Sequence, residues 1–158
     1  MLPIEVLDPS ELLEIPDESR TDLIKAAERY MNGDLSGAMS AACGAVDSAT
    51  SRFYTQHNLG DPGDDSFQKK VKVTLKQCSV MQRMVPDLLE LGWDPKEAEL
   101  LRTNLEGAFN QGAYVMQSLR SGMGDVHGTK PVLRPLVFDS IKWATLILRL
   151  LQQNERTS

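Results

Sequence analysis

An all-α protein, an antiparallel bundle of four to five helices, is predicted from three features of the sequence. Apolar residues recur at intervals of three and four through most of the chain. No stretch sustains the alternation of apolar and polar residues, rich in β-branched side chains, that a half-buried strand needs. Proline, glycine and aspartate cluster where those periods stop, as they do at helix ends. With 158 residues, 41% hydrophobic and 25% charged, the chain is long enough to bury a core without a cystine or a metal.

Residues 1–16 read as an acidic N-terminal arm punctuated by Pro3, Pro9 and Pro16, and residues 17–158 as one helical domain. The first helix, from Asp17 to Met31, has acids early and Leu23, Ala26, Ala27 and Tyr30 on one face. Asn32-Gly33 ends it, and Asp34 caps a second helix that runs to about His57. Its small residues Ala38, Ala41, Ala42 and Ala45 join Val46, Ala49 and Phe53 on a stripe suited to close packing. Residues 59–66 form a loop whose three aspartates lack the spacing and closing glutamate of an EF-hand. From Phe67 a third helix sets Val71, Leu75, Cys78 and Val85 against Lys69, Lys72, Lys76 and Arg83 on its opposite side.

Pro86 and the run from Gly92 to Pro95 break the path, with Asp94 as N-cap and Pro95 as first residue of a long helix. Ala98, Leu101, Leu105, Ala108, Phe109, Val115, Met116 and Leu119 make its expected core stripe. Gly112 on that stripe lets a neighbour approach closely. After a glycine-rich segment a last helix follows Pro135, with Leu136, Val137, Ile141, Ala144, Ile147, Leu148 and Leu151 as its core pattern. Trp143, Leu146 and Leu150 fall on other faces, an apolar surplus that a subunit interface explains.

Charge narrows the function classes. The net charge is -5, which disfavours adhesion to nucleic acid by charge alone. Residues 1–34 hold nine acids and three bases, so any anion site lies beyond them, and the clearest basic run is Lys69, Lys70, Lys72, Lys76 and Arg83. Cys43 and Cys78 lie in apolar helical patterns and read as buried, reduced thiols. The acidic start of the chain and the lack of a long apolar run place it in the cytoplasm, away from the membrane. No P-loop, dinucleotide fingerprint, nucleophile elbow or HExxH pattern occurs, so neither cofactor nor metal is expected.

Chemistry near neutral pH rests on His57 and His127, each downstream of an arginine, Arg52 and Arg120. Arg52 and His57 sit on one helix near its end, a place that suits capping and solvent contact. Arg120 is tied to Asp125 and His127 by a glycine-rich loop between two helices, where chemistry concentrates; a plain surface turn is the alternative. Lys130 and Arg134 flank that loop.

The segment Leu119-Arg-Ser-Gly-Met-Gly-Asp-Val-His-Gly resembles the signature of the abortive-infection C-terminal (Abi-C) family, a branch of the HEPN superfamily whose hallmark is arginine, four to six residues, then histidine. Asn32-Gly33-Asp34, the alanine-rich helix bearing Asp47 and Ser48, and the loop after Leu59 are similar to that family as well. The resemblance implies a HEPN-like bundle, dimerised through the last helix and residues 120–128 so that two Arg/His loops meet. It implies metal-independent cleavage of RNA in phage defence, with an antitoxin or defence-system protein as a further partner.

In that reading Arg120 and His127 are catalytic, and Lys130, Arg134 and Ser121 contact substrate. His127 is the acid/base group, and the forked donors of Arg120 stabilise the crowded phosphorane. Asp125 either orients the imidazole or is a turn residue bonding its own backbone. Ser121 stands where many HEPN nucleases carry an amide or acid. Asp47, where the family more often has glutamate, either pairs with Arg120 across the bundle or faces solvent, the second being preferred. The competing function is a catalytically inactive helical module for dimerisation or for binding a nucleotide or partner.

Overall fold

The computed structural model describes residues 6–123 and 133–156, with side chains as far as Gln152. Seven α-helices and one 3-10 turn occur among these residues, with no strand. The helices are α1 (Pro9–Leu12), α2 (Asp17–Met31), α3 (Leu35–Gln56), α4 (Phe67–Gln77), α5 (Ser79–Glu90), α6 (Pro95–Gly122) and α7 (Arg134–Arg156). The sequence dictates most of their starts. Asp34, Ser66 and Asp94 each accept a backbone N–H of the turn they cap, and Pro95 fills the first position of α6, where no amide partner is lost.

The central helix is α3, which packs against α2, α4, α6 and α7. Its alanine stripe explains this: Ala38, Ala42 and Ala45 are fully buried, and side chains that small let several neighbours approach one helix. Hydrogen bonds set the directions. Ser36 Oγ donates to the Met123 carbonyl (2.9 Å) and Cys43 Sγ lies 3.9 Å from that of Met116, so α6 runs antiparallel to α3. At the α6–α7 crossing Gly112 meets Trp143 so closely that a Cβ there would lie 2.8 Å from the indole ring. Phe109 meets the same indole edge-on, with centroids 5.4 Å apart.

Three expectations are corrected. Residues 6–16 are no appendage: Val6, Leu7, Leu12 and Ile15 are buried in the common core. Glu11 and Glu14 pair with Lys142 and Arg149 of α7, which gives the acidic start of the chain its counter-charges. Pro9 is an N1 residue here, and breaker counting mistook it for the mark of an irregular arm. Second, the helix from Phe67 is two helices. They part at Cys78, whose backbone is extended (φ -69°, ψ 151°), whereas Pro86 sits inside α5.

Third, between residues 82 and 108 only Ala98 is buried, so Leu101 and Ala108 are not core. The end of α5 and the start of α6 form a hairpin, on which Leu101 and Ala108 face outward while Leu105 is partly buried against the core. Trp93 at its tip is 43% exposed, and Val115 and Leu136 are exposed as well. Trp143 packs on Gly112 and Phe109 of its own chain and is half-buried there.

Candidate functional site

Arg120 lies in the last turn of α6, where a cation complements the negative end of the helix dipole. Its side chain crosses to α3: Nη1 donates to Asp47 Oδ2 at 2.8 Å. Asp47 therefore does not face solvent alone, contrary to the preferred expectation. Its other oxygen pairs with Lys70 Nζ of α4 at 2.7 Å, and Lys70 also donates to Ser51 Oγ at 3.2 Å. The guanidinium carbon of Arg120 lies 5.2 Å from the Phe67 ring centroid. One carboxylate between two cations leaves the trio with a formal charge of +1, fixed where α3, α4 and α6 converge.

Burial alone would push the Asp47 carboxyl up. Hydrogen bonds from Arg120 and Lys70, and their charges, outweigh it and hold the group below the usual carboxylate range. Beneath it, burial pushes the Cys43 thiol up to about 12, although the Arg120 charge pulls the other way. Burial raises the Cys78 thiol too. Both cysteines are buried and unpaired with each other. Thiolate is the reactive form, so native protein is expected to resist a thiol-disulfide indicator dye and to react only on unfolding, as a titration with and without denaturant will read.

Sequence reasoning missed Lys70 as a member of this cluster, and a signal was present. Phe67, Lys70, Val71, Thr74 and Leu75 follow a 3-4 period, so Lys70 belongs to the stripe that α4 buries. Only 8% of the residue is exposed, and a lysine so placed requires a carboxylate partner, here the partly exposed Asp47.

Other candidates lie apart. Ser121 is exposed on the last turn of α6. Arg134 stacks on the Tyr30 ring of α2 at 4.1 Å, so it is held by an aromatic face. Asp125, His127 and Lys130 lie outside the described residues, as does most of the glycine-rich segment. Arg52 bonds Glu18 (2.9 Å), while His57 caps α3 and stacks on Phe53 at 3.9 Å, so that pair serves two separate contacts. Among the described residues no three acids, cysteines or histidines are placed to hold a metal ion, and no helix is long and apolar enough to cross a membrane.

Two concavities flank α6. One, of about 180 Å³, lies between α4 and α6, with Lys72 and Lys76 at its rim and Leu75 and Phe109 lining it. The other, of about 260 Å³, is an open apolar groove between α6 and α7 lined by Leu105, Leu146 and Leu150. No family model, curated protein or solved structure matches this chain.

Proposed function

We propose that the chain is a metal-independent endoribonuclease of an abortive-infection or toxin-type system, acting as a homodimer through α7 and residues 120–128. The supporting observation is the placement of Arg120. It is partly exposed at a helix end, oriented by one carboxylate and one aromatic ring, in a cluster whose charge is positive. A guanidinium has five N–H donors, so binding one carboxylate oxygen leaves donors in a fixed fork for a phosphate.

In the proposed reaction the RNA 2′-hydroxyl attacks the adjacent phosphorus, the 5′-oxygen of the next nucleotide leaves, and a 2′,3′-cyclic phosphate results. His127 of one subunit takes the hydroxyl proton and His127 of the other protonates the leaving oxygen, while Arg120 stabilises charge on the non-bridging oxygens.

Incubation of end-labelled RNA in excess EDTA tests this. Cleavage leaving cyclic phosphate ends is expected, with Arg120→Ala reducing its rate by about 10²–10³-fold and His127→Ala at least as strongly. Intact RNA with folded wild-type dimer overturns the nuclease reading. One observation favours the second reading, an inactive binding or dimerisation module: Arg120 already has a carboxylate partner, and Asp47 competes with phosphate for it.

A further inference from the structure

We propose that the tip of the α5–α6 hairpin is a docking surface for a partner protein that presents a cationic, amphipathic helix. Five of the twelve large apolar side chains that the described residues expose, Leu89, Leu91, Trp93, Leu100 and Leu101, fall within thirteen residues of chain. At about 1.5 Å per helical residue, all five lie within about 10 Å of the turn that joins the helices. Apolar residues scattered singly over a surface need no explanation, whereas a cluster at one end of a molecule marks a contact. Leu91 and Leu100 are 77% and 61% exposed, so they add little to the core of their own chain.

Charge decides which partner fits. Residues 86–101 carry Asp87, Glu90, Asp94, Glu97 and Glu99, and Lys96 is their one cation. Glu99 is bound by Arg102 and Asp94 caps α6, but Asp87, Glu90 and Glu97 make no ion pair among the described residues. Such a rim repels anionic lipid headgroups and the phosphates of a nucleic acid. A helix with lysine or arginine beside an apolar stripe meets both features, its stripe against the leucines and Trp93 and its cations against the acids. The surface is also held in shape. Gly92 turns the chain at φ 93°, the amides of Leu91, Gly92 and Trp93 donate to carbonyls of α5, and the Asp94 carboxylate accepts the amides of Lys96 and Glu97. A preformed surface loses less entropy on binding, and tryptophan is among the residues that most often dominate an interface. Leu100 lies twenty residues from Arg120 on α6, or about 30 Å, so a docked helix leaves the Arg120 cluster open. The proposal therefore stands whether or not the chain cuts RNA.

The test uses two dye-labelled helical peptides with one apolar pattern, leucine at intervals of three and four, and either lysine or glutamate at the remaining positions. Each is titrated with purified protein and followed by fluorescence anisotropy. Two variants probe the surface. Leu91→Ser/Leu100→Ser removes apolar area, and Glu90→Gln/Glu97→Gln removes charge. All four positions are exposed, so both variants should melt within a few degrees of wild type.

The lysine peptide is expected to bind wild-type protein about tenfold or more tightly than the glutamate peptide does, and to lose about tenfold or more in affinity on the serine variant. On the glutamine variant it is expected to bind more weakly and to lose most of its salt dependence. No binding of the lysine peptide, equal binding of the two peptides, or an affinity unchanged in both variants overturns the proposal. Two further measurements address the other occupants. Self-association of the wild type that the serine variant abolishes in sedimentation velocity gives the surface to a second copy of the chain and overturns the partner reading. Flotation with phosphatidylcholine or phosphatidylglycerol vesicles that is lost in the same variant gives it to a lipid surface and overturns that reading equally.

Discussion

Asp47→Ala is expected to destabilise the protein by about 2–3 kcal/mol at pH 7, the larger share coming from what it leaves behind. Lys70 is almost wholly buried and would keep a hydroxyl, Ser51, and a like-charged neighbour, Arg120, in place of its carboxylate. Breaking a buried ion pair from one side costs about 3–5 kcal/mol, and the partial exposure of Asp47 reduces that here. Adding Lys70→Met removes the stranded charge, so the double variant should recover most of the loss. A double variant as unstable as the sum of its parts would show that Asp47 acts by packing.

The pH dependence has a fixed sign. A carboxylate whose folded pKa is depressed contributes stability that is whole above its unfolded value, about 3.9, and is lost as pH falls through the folded value. The wild-type advantage over Asp47→Ala in urea melts should therefore hold at pH 5 to 7 and shrink below pH 4. Arg120→Ala is milder, because Asp47 keeps Lys70 and the arginine is partly exposed; about 1 kcal/mol or less is expected. That small effect on the fold makes Arg120→Ala a clean probe of RNA cleavage.

The bundle was largely legible because helix periods and caps are local. Asp34, Ser66, Asp94 and Pro95 announce helix starts within four residues of chain, and the stripes of α2 and α3 bury the residues their periods name, Ala41 and Ala49 only in part. The periodicity of α6 misled at Leu101, Ala108 and Val115, because a 3-4 period reports one face of a helix and not whether anything covers it. The break at Cys78 carries neither proline nor glycine, so no breaker residue marks it. The Asp47–Lys70–Arg120 cluster joins three helices through residues as much as 73 apart. Only Lys70 on an apolar stripe hinted at it, and a stripe shows that a charge is buried without showing which acid meets it.

Gly112→Val is expected to destabilise the protein by about 2–3 kcal/mol, and the reason bears on how α7 is used. Replacing a helical glycine gains up to about 1 kcal/mol of propensity, less for a β-branched residue, so a loss must come from tertiary contact. Here the first added carbon lies 2.8 Å from two carbons of the Trp143 ring, and Phe109 stands edge-on to that ring. The indole has little room to swing, so the helices must separate or side chains leave their rotamers, at about 1–3 kcal/mol or more. Trp143→Ala alone should also destabilise, by about 2–4 kcal/mol for a half-buried tryptophan. Because the two changes relieve each other, the double variant should be more stable than their sum by at least 1 kcal/mol. Strictly additive losses would mean that the two positions do not share this contact. Since Trp143 packs on α6, the apolar surface that α7 offers the proposed dimer is chiefly Leu146 and the groove beside it. In the proposed dimer Leu146→Glu is therefore the change expected to shift oligomeric state, whereas Gly112→Val is expected to act on the melting of the chain itself.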